Sequence, residues 1–214
     1  MVEGQGDEAA APGLVHRLIE LNSGLDTLFV GHSLRVGEVS KIVKDDGKSF
    51  FKHLEYTREF SDLGAVLLLL DGDAENNPFD PEREEAFCTK ETARTLAKMA
   101  QEHARAGDVF SFAVVFAIKE FESWILAGHP DFYTQMGGKN VEDSPRDAKR
   151  RIKELKGGYQ ETLDQAPMVR KIELEPLLTR EPRVRSFVRL DHAVRELIEA
   201  VRTGKHISTP CPIV

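Results

Sequence analysis

The chain predicts an α/β fold: a mainly parallel sheet flanked by helices, with a helical C-terminal extension. Three observations lead there. Gly64-Ala65-Val66-Leu67-Leu68-Leu69-Leu70 is short and carries no polar side chain, as a strand buried on both faces requires. Residues 109–118 form a second apolar run, rich in β-branched and aromatic residues. Helical patterns separate the strand candidates, and that alternation implies right-handed crossovers and parallel pairing.

Each element follows from local signals. Glu3-Gly4-Gln5-Gly6-Asp7-Glu8 reads as a strand end and turn, and residues 9–22 as a helix with Leu14, Val15, Leu18 and Leu21 on one side. Thr27-Leu28-Phe29-Val30 is a short strand candidate, and residues 36–60 are mostly helical with a break at Gly47. Residues 74–82 hold Asn76-Asn77-Pro78 and Asp80-Pro81 and read as a loop; residues 83–106 form a long helix that Gly107 ends. Residues 119–126 pass from strand into helix. Beyond Gly137-Gly138 no strand is expected. Ser144-Pro145 starts a helix that Gly157-Gly158 ends, and residues 165–178 form a further helical piece. A last helix spans 184–203, with Phe187, Leu190, Val194, Leu197, Ile198 and Val201 on one face and Gly204 as its stop. These breaks divide the chain into an α/β domain, residues 1–136, and a helical extension packed on it, residues 137–214.

Composition narrows the class. A chain of 214 residues with 41% apolar and 30% charged side chains can bury a sizeable core and remain soluble. No apolar run reaches the length of a membrane span, and no secretory leader is visible at Met1-Val2-Glu3-Gly4. Cys88 and Cys211 are too few and too far apart for a disulfide framework or a zinc site, so a reducing cytoplasm is the expected compartment. The net charge of −7 is uneven: residues 1–138 carry 13 basic and 24 acidic side chains, residues 139–214 carry 16 and 12. Such a basic half can mark a nucleic-acid surface, but a set of solvated helix faces is the favoured account, since its cations are interleaved with Glu.

The chemistry-bearing residues are acidic. Asp71-Gly72-Asp73 ends the first apolar run, and ligands of parallel sheets bind beyond the carboxyl ends of strands. Side chains two apart on extended backbone point the same way, so Asp71 and Asp73 can converge on Mg²⁺ or Mn²⁺, with Gly72 easing the turn; the same three residues also fit a solvated loop. Glu3 and the pair Glu120 and Glu122 fall at other strand ends on the same edge. Carboxylates gathered there repel unless a divalent cation sits between them. Glu120 and Glu122 do not share a helix face, and Glu122 is the better candidate. Trp124 is expected in the core, Cys88 as inert, and His32, His53 and His129 have no partner at metal-ligand spacing. Arg35 and Lys48 read as solvated helix residues.

Glu3-Gly4 before a helix and Leu70-Asp71-Gly72-Asp73 resemble the TOPRIM domain of primases, topoisomerases and overcoming-lysogenization-type nucleases. With Glu120-Phe121-Glu122-Ser123-Trp124, Tyr159, Thr162, Asp164-Gln165 and Ser186-Phe187, the order looks like domain-of-unknown-function family 4276 across nearly the whole chain. The resemblance implies a Mg²⁺-dependent enzyme of phosphodiester chemistry, a nuclease working with an ATPase partner in phage defence or DNA metabolism. Glu3 matches the glutamate that holds metal or moves a proton, Asp71 and Asp73 the metal pair, and Glu122 a second metal position. It also leaves two rivals: a catalytically silent interaction module of an ATPase-containing complex, and a nucleotidyl or phosphate-monoester enzyme. A homodimer is compatible with either. The family has several apolar residues before its Glu-Gly, whereas this chain has Met1 and Val2. Either the true start lies upstream or the first strand is cut short.

Overall fold

The computed structural model describes residues 1–80, 82, 85–137, 142 and 147–210. Ser144 and Pro145, the expected helix start, lie outside them, as do Pro81, Gly138, Cys211 and Pro212. The architecture is mixed α/β, with a small parallel sheet flanked by helices. Strand β1 (Ala65–Gly72) pairs in parallel with β2 (Ser111–Ile118), which pairs in parallel with the two-residue β3 (Ser208–Thr209). β3 corrects the expectation that no strand follows residue 137. Val2 bridges Leu69 on one side and Arg35 on the other, which extends the sheet by single residues beyond β1. Arg35 is therefore a sheet-edge residue rather than a helical one.

The two faces of the sheet follow from strand alternation. Val66, Leu68 and Leu70 of β1 join Phe112, Val114 and Phe116 of β2 in a core with α2 (Val39–Arg58) and α3 (Thr89–Ala104). Leu69, Ala113, Val115 and Ala117 face the other way. There they meet α1 (Gln5–Leu21), α4 (Glu122–Gly128) and α9 (Arg185–Thr203). Around them lie α5 (Pro130–Gln135), α6 (Ala148–Lys156), α7 (Glu161–Val169) and α8 (Leu174–Thr179). α9 packs along β2 and α7 along α1. Among the described residues no helix is long and apolar enough to cross a membrane.

Four boundaries differ from the sequence reading. α1 starts at Gln5 rather than near residue 9, because the Asp7 carboxylate reaches back to accept the Gly4 N–H at 2.9 Å and closes the first turn. Thr27-Leu28-Phe29-Val30 forms no strand. The edge pairing with Val2 goes to residues 34–36 instead: Val2 N donates to Leu34 O at 2.8 Å and Val36 N to Val2 O at 2.9 Å. α3 begins only at Thr89, since Asn77 N donates to Glu85 O at 2.9 Å and holds the preceding segment in a loop. The helical piece at 165–178 is two helices. The Arg17 guanidinium takes the carbonyls of Val169 at 2.8 Å and Ile172 at 2.5 Å, which frees the backbone to turn between α7 and α8. The break at Gly47 is present inside α2, where Asp45, Asp46 and Gly47 have φ of 52°, 57° and 79°.

Candidate functional site

Register settles where Asp71 points. It follows Leu69 by two, so alternation sends it to the α1 and α4 side of the sheet, opposite Leu70. The bridge from Val2 to Leu69 then sets Glu3 beside it, and Glu3 Oε2 accepts the Asp71 N–H at 3.1 Å. Asp71 Oδ1 accepts the Phe121 N–H at 2.8 Å. That donor is aimed by the turn after β2, where Lys119 holds a left-handed φ of 70°, uncommon for a residue with a side chain.

Gly72 serves a different purpose from the turn expected of it. It still belongs to β1, and a Cβ there would lie 2.6 Å from Ala117 O and 3.0 Å from Thr89 Cγ2. Glycine lets β1, β2 and α3 close up behind Asp71. Asp73 lies just past the strand and acts on Glu3 as a nearby negative charge.

Glu122 opens α4 and is buried, with 1% of its surface exposed. Its Oε1 accepts the Tyr159 hydroxyl hydrogen at 2.8 Å. Glu120 turns elsewhere: its Oε2 accepts the Lys149 N–H at 3.3 Å, a carboxylate on the first turn of α6. Sequence reasoning did not assign site roles to Asp7, Lys149 and Tyr159. Asp7 Oδ1 accepts from Gln165 Nε2 at 2.8 Å, and its charge is felt by Glu3, Asp71 and Glu122. The Gly4-to-Asp7 capping spacing was the available signal. Lys149 had none, because it reaches the carboxylates only through the packing of α6 on α4.

The electrostatics are those of a carboxylate centre short of positive charge. Burial pushes the Glu3 carboxyl up to about 7, opposed by the hydrogen bond from Asp71 N and helped by the charges of Asp73, Asp7 and Glu38. Burial also holds Asp71 well above its ordinary value, with Asp7, Glu3 and Glu122 adding to it and Lys149 pulling it back. Glu122 is pushed up to about 7 by burial, against the pull of Lys149 and Tyr159. Lys149 is itself depressed by burial, but Glu122, Glu161 and Asp71 outweigh that and keep it charged. Burial and Glu122 together raise the Tyr159 phenol, so it stays a hydrogen-bond donor.

Among the described residues no group of three or more His, Cys, Asp or Glu side chains is placed to hold a metal ion. Mg²⁺ does not demand one: it is commonly held by one or two carboxylates, several waters and substrate phosphates. Glu3, Asp71 and Glu122 offer oxygen donors only, in desolvated surroundings.

The other family-like residues build the frame. Trp124 is fully buried, as expected, donating from Nε1 to Ser186 Oγ at 2.8 Å and meeting Phe187 edge-on at 5.6 Å. Ser186 N donates in turn to buried Glu142 at 2.7 Å, so that carboxylate caps α9. Cys88 is a free thiol.

The model of the family described as Domain of unknown function (DUF4276) matches residues 2–190, and the chain belongs to that family. No curated protein and no solved structure matches it.

Proposed function

We propose that the protein is a divalent-metal-dependent enzyme of phosphodiester bonds, a TOPRIM-like nuclease that works with an ATPase partner in defence or DNA metabolism. One observation carries the reading: at the carboxyl end of the parallel sheet Glu3 accepts the Asp71 N–H, and Asp71 lies within electrostatic reach of Glu3, Glu122 and Asp7, with the Lys149 ammonium acting on Asp71 and Glu122. The TOPRIM relationship and the ATPase partner rest on the sequence resemblance.

In this reading Glu3, Asp71 and Glu122 would hold Mg²⁺ or Mn²⁺, with Asp73 nearby. A bound ion of this kind orients a phosphate and lowers the pKa of its water. The chain's own groups do the rest. Asp71 is oriented by Phe121 N, and Glu122 by Tyr159. Glu3, with its carboxyl near 7, is poised to take or return a proton at neutral pH.

Asp71→Asn tests the assignment. It keeps an oxygen for Phe121 N and removes the charge. Cleavage of plasmid or RNA in Mg²⁺ or Mn²⁺ should fall beyond the roughly 10- to 100-fold loss typical of outer-shell changes, with the circular dichroism spectrum unchanged. Equal cleavage by the variant rejects the metal role of Asp71.

A second reading, a catalytically silent interaction module of an ATPase-containing complex, is favoured by a specific observation: among the described residues no group of three or more His, Cys, Asp or Glu side chains is placed to hold a metal ion. Calorimetry with Mg²⁺ and Mn²⁺ separates the two: heat of binding lost in Asp71→Asn supports the enzyme, and none in the wild type supports the module.

A further inference from the structure

A cavity of about 520 Å³ is lined by Lys149, Arg150, Lys153, Tyr159, Glu161 and Thr162. Two of these residues also belong to the carboxylate centre. Tyr159 donates to Glu122, and the Lys149 charge acts on Glu122 and Asp71. Cavity and centre therefore share a wall. The cations have different partners. Lys149 Nζ lies 3.1 Å from Glu161, and Arg150 pairs with Asp147 and Glu154. Lys153 is exposed, and among the described residues it has no ion pair. All three sit on α6, which also carries Arg151 and Lys156 and a single acid, Glu154. Arg151 pairs with Asp147 and Lys156 with Asp164, so among the described residues Lys153 is the α6 cation without an ion pair, in a chain of net charge −7.

We propose that this cavity is the binding site for the phosphate backbone of a nucleic-acid strand, next to the carboxylate centre. The assignment rests on the phosphodiester reading given above and names how its substrate is held. Carboxylates alone repel a polyanion. A cationic helix on the shared wall offsets that repulsion where the strand must approach. The volume falls within the roughly 300–1,000 Å³ of ordinary ligand pockets and accommodates a nucleotide unit. Arg150 and Lys153 extend the positive surface outward, so the site suits a strand with several phosphates better than a single one.

The test is fluorescence anisotropy of the full chain with labelled single-stranded and duplex oligonucleotides in EDTA, so that cleavage cannot intervene. Wild type and Asp71→Asn should bind at least one of the two forms. Lys153→Glu and Arg150→Glu, both at exposed positions, should each weaken binding about 5- to 10-fold at 0.1 M salt and reduce the salt slope by about 1. Variants that bind as tightly as wild type overturn the proposal. So does displacement of the oligonucleotide by an equal concentration of mononucleotide, and so does absence of wild-type binding at low salt. Because binding is read without metal, its failure is distinct from a failure of the Asp71→Asn cleavage test.

Discussion

Asp71 is held by one side chain and one backbone group: its N–H goes to the Glu3 carboxylate and its Oδ1 accepts from Phe121 N. Burial favours the neutral form of Asp71, as it does for Glu3 and Glu122, and this makes pH the sharpest probe at this scale. Glu3 and Glu122 stand near 7 in the folded chain, against 4.5 when unfolded. The folded state therefore binds more protons between those values, and stability falls as pH rises through that window. In EDTA, Glu122→Gln should gain Tm relative to wild type on going from pH 5 to pH 8, because it cannot acquire the buried charge. A difference that stays flat or reverses rejects the burial argument. Millimolar Mg²⁺ should raise the wild-type Tm at pH 8 more than at pH 5, since an ion that binds only the folded, ionised site stabilises it by mass action. Glu3, Asp71, Asp73 and Glu122 were nameable as candidates from sequence because each follows a strand pattern. Asp7 and Lys149 were not, because one works from a helix cap and the other from a helix remote in sequence.

Elements deliver these residues through close approach. β1 and β2 run in register to Asp71↔Ala117 and Gly72↔Ile118, and Gly72 permits that approach. Gly72→Ala forces a Cβ to within 2.6 Å of Ala117 O. It should cost about 1–3 kcal/mol. Cleavage should fall with it, as the strand ends part and Phe121 N leaves Asp71. Gly13→Ala is the matched control. Gly13 lies inside α1 with nothing within 4 Å of a new Cβ, and the change should stabilise by about 0.5–1 kcal/mol. Thermal melts of the two variants read both, and a neutral Gly72→Ala would show that the strands can separate freely. The same scale explains the misplaced boundaries. Arg17 breaks the 165–178 helix from α1, over 150 positions away in sequence, and no local pattern carries that.

At the scale of the molecule, the sheet is covered on one face by α2 and α3 and on the other by α1, α4 and α9. One apolar cluster joins Leu14 and Leu18 of α1, Val115 of β2 and Trp124 of α4 to Phe187, Leu190 and Val194 of α9. A fragment of residues 1–136 would expose that face. It should express as an aggregating or dye-binding chain without a cooperative melt. A fragment that melts cooperatively would show that the division at 136/137 is a true domain boundary. Trp124→Ala in the full chain should cost about 3–5 kcal/mol, because it removes the side chain that ties the end of the sheet to α9.

The amino-acid order by itself determined the α/β class, the two central parallel strands, the last helix and its glycine stop, and the acidic character of the sheet edge. These follow from short-range periodicity and side-chain chemistry, which need no knowledge of neighbours in space. Only the tertiary structure decided that α9 covers β2, that Glu120 serves α6 while Glu122 faces Asp71, and that Asp7, Lys149 and Tyr159 join the carboxylates. Those outcomes depend on contacts between residues far apart along the chain, where the burial of one element sets the charge and orientation of another.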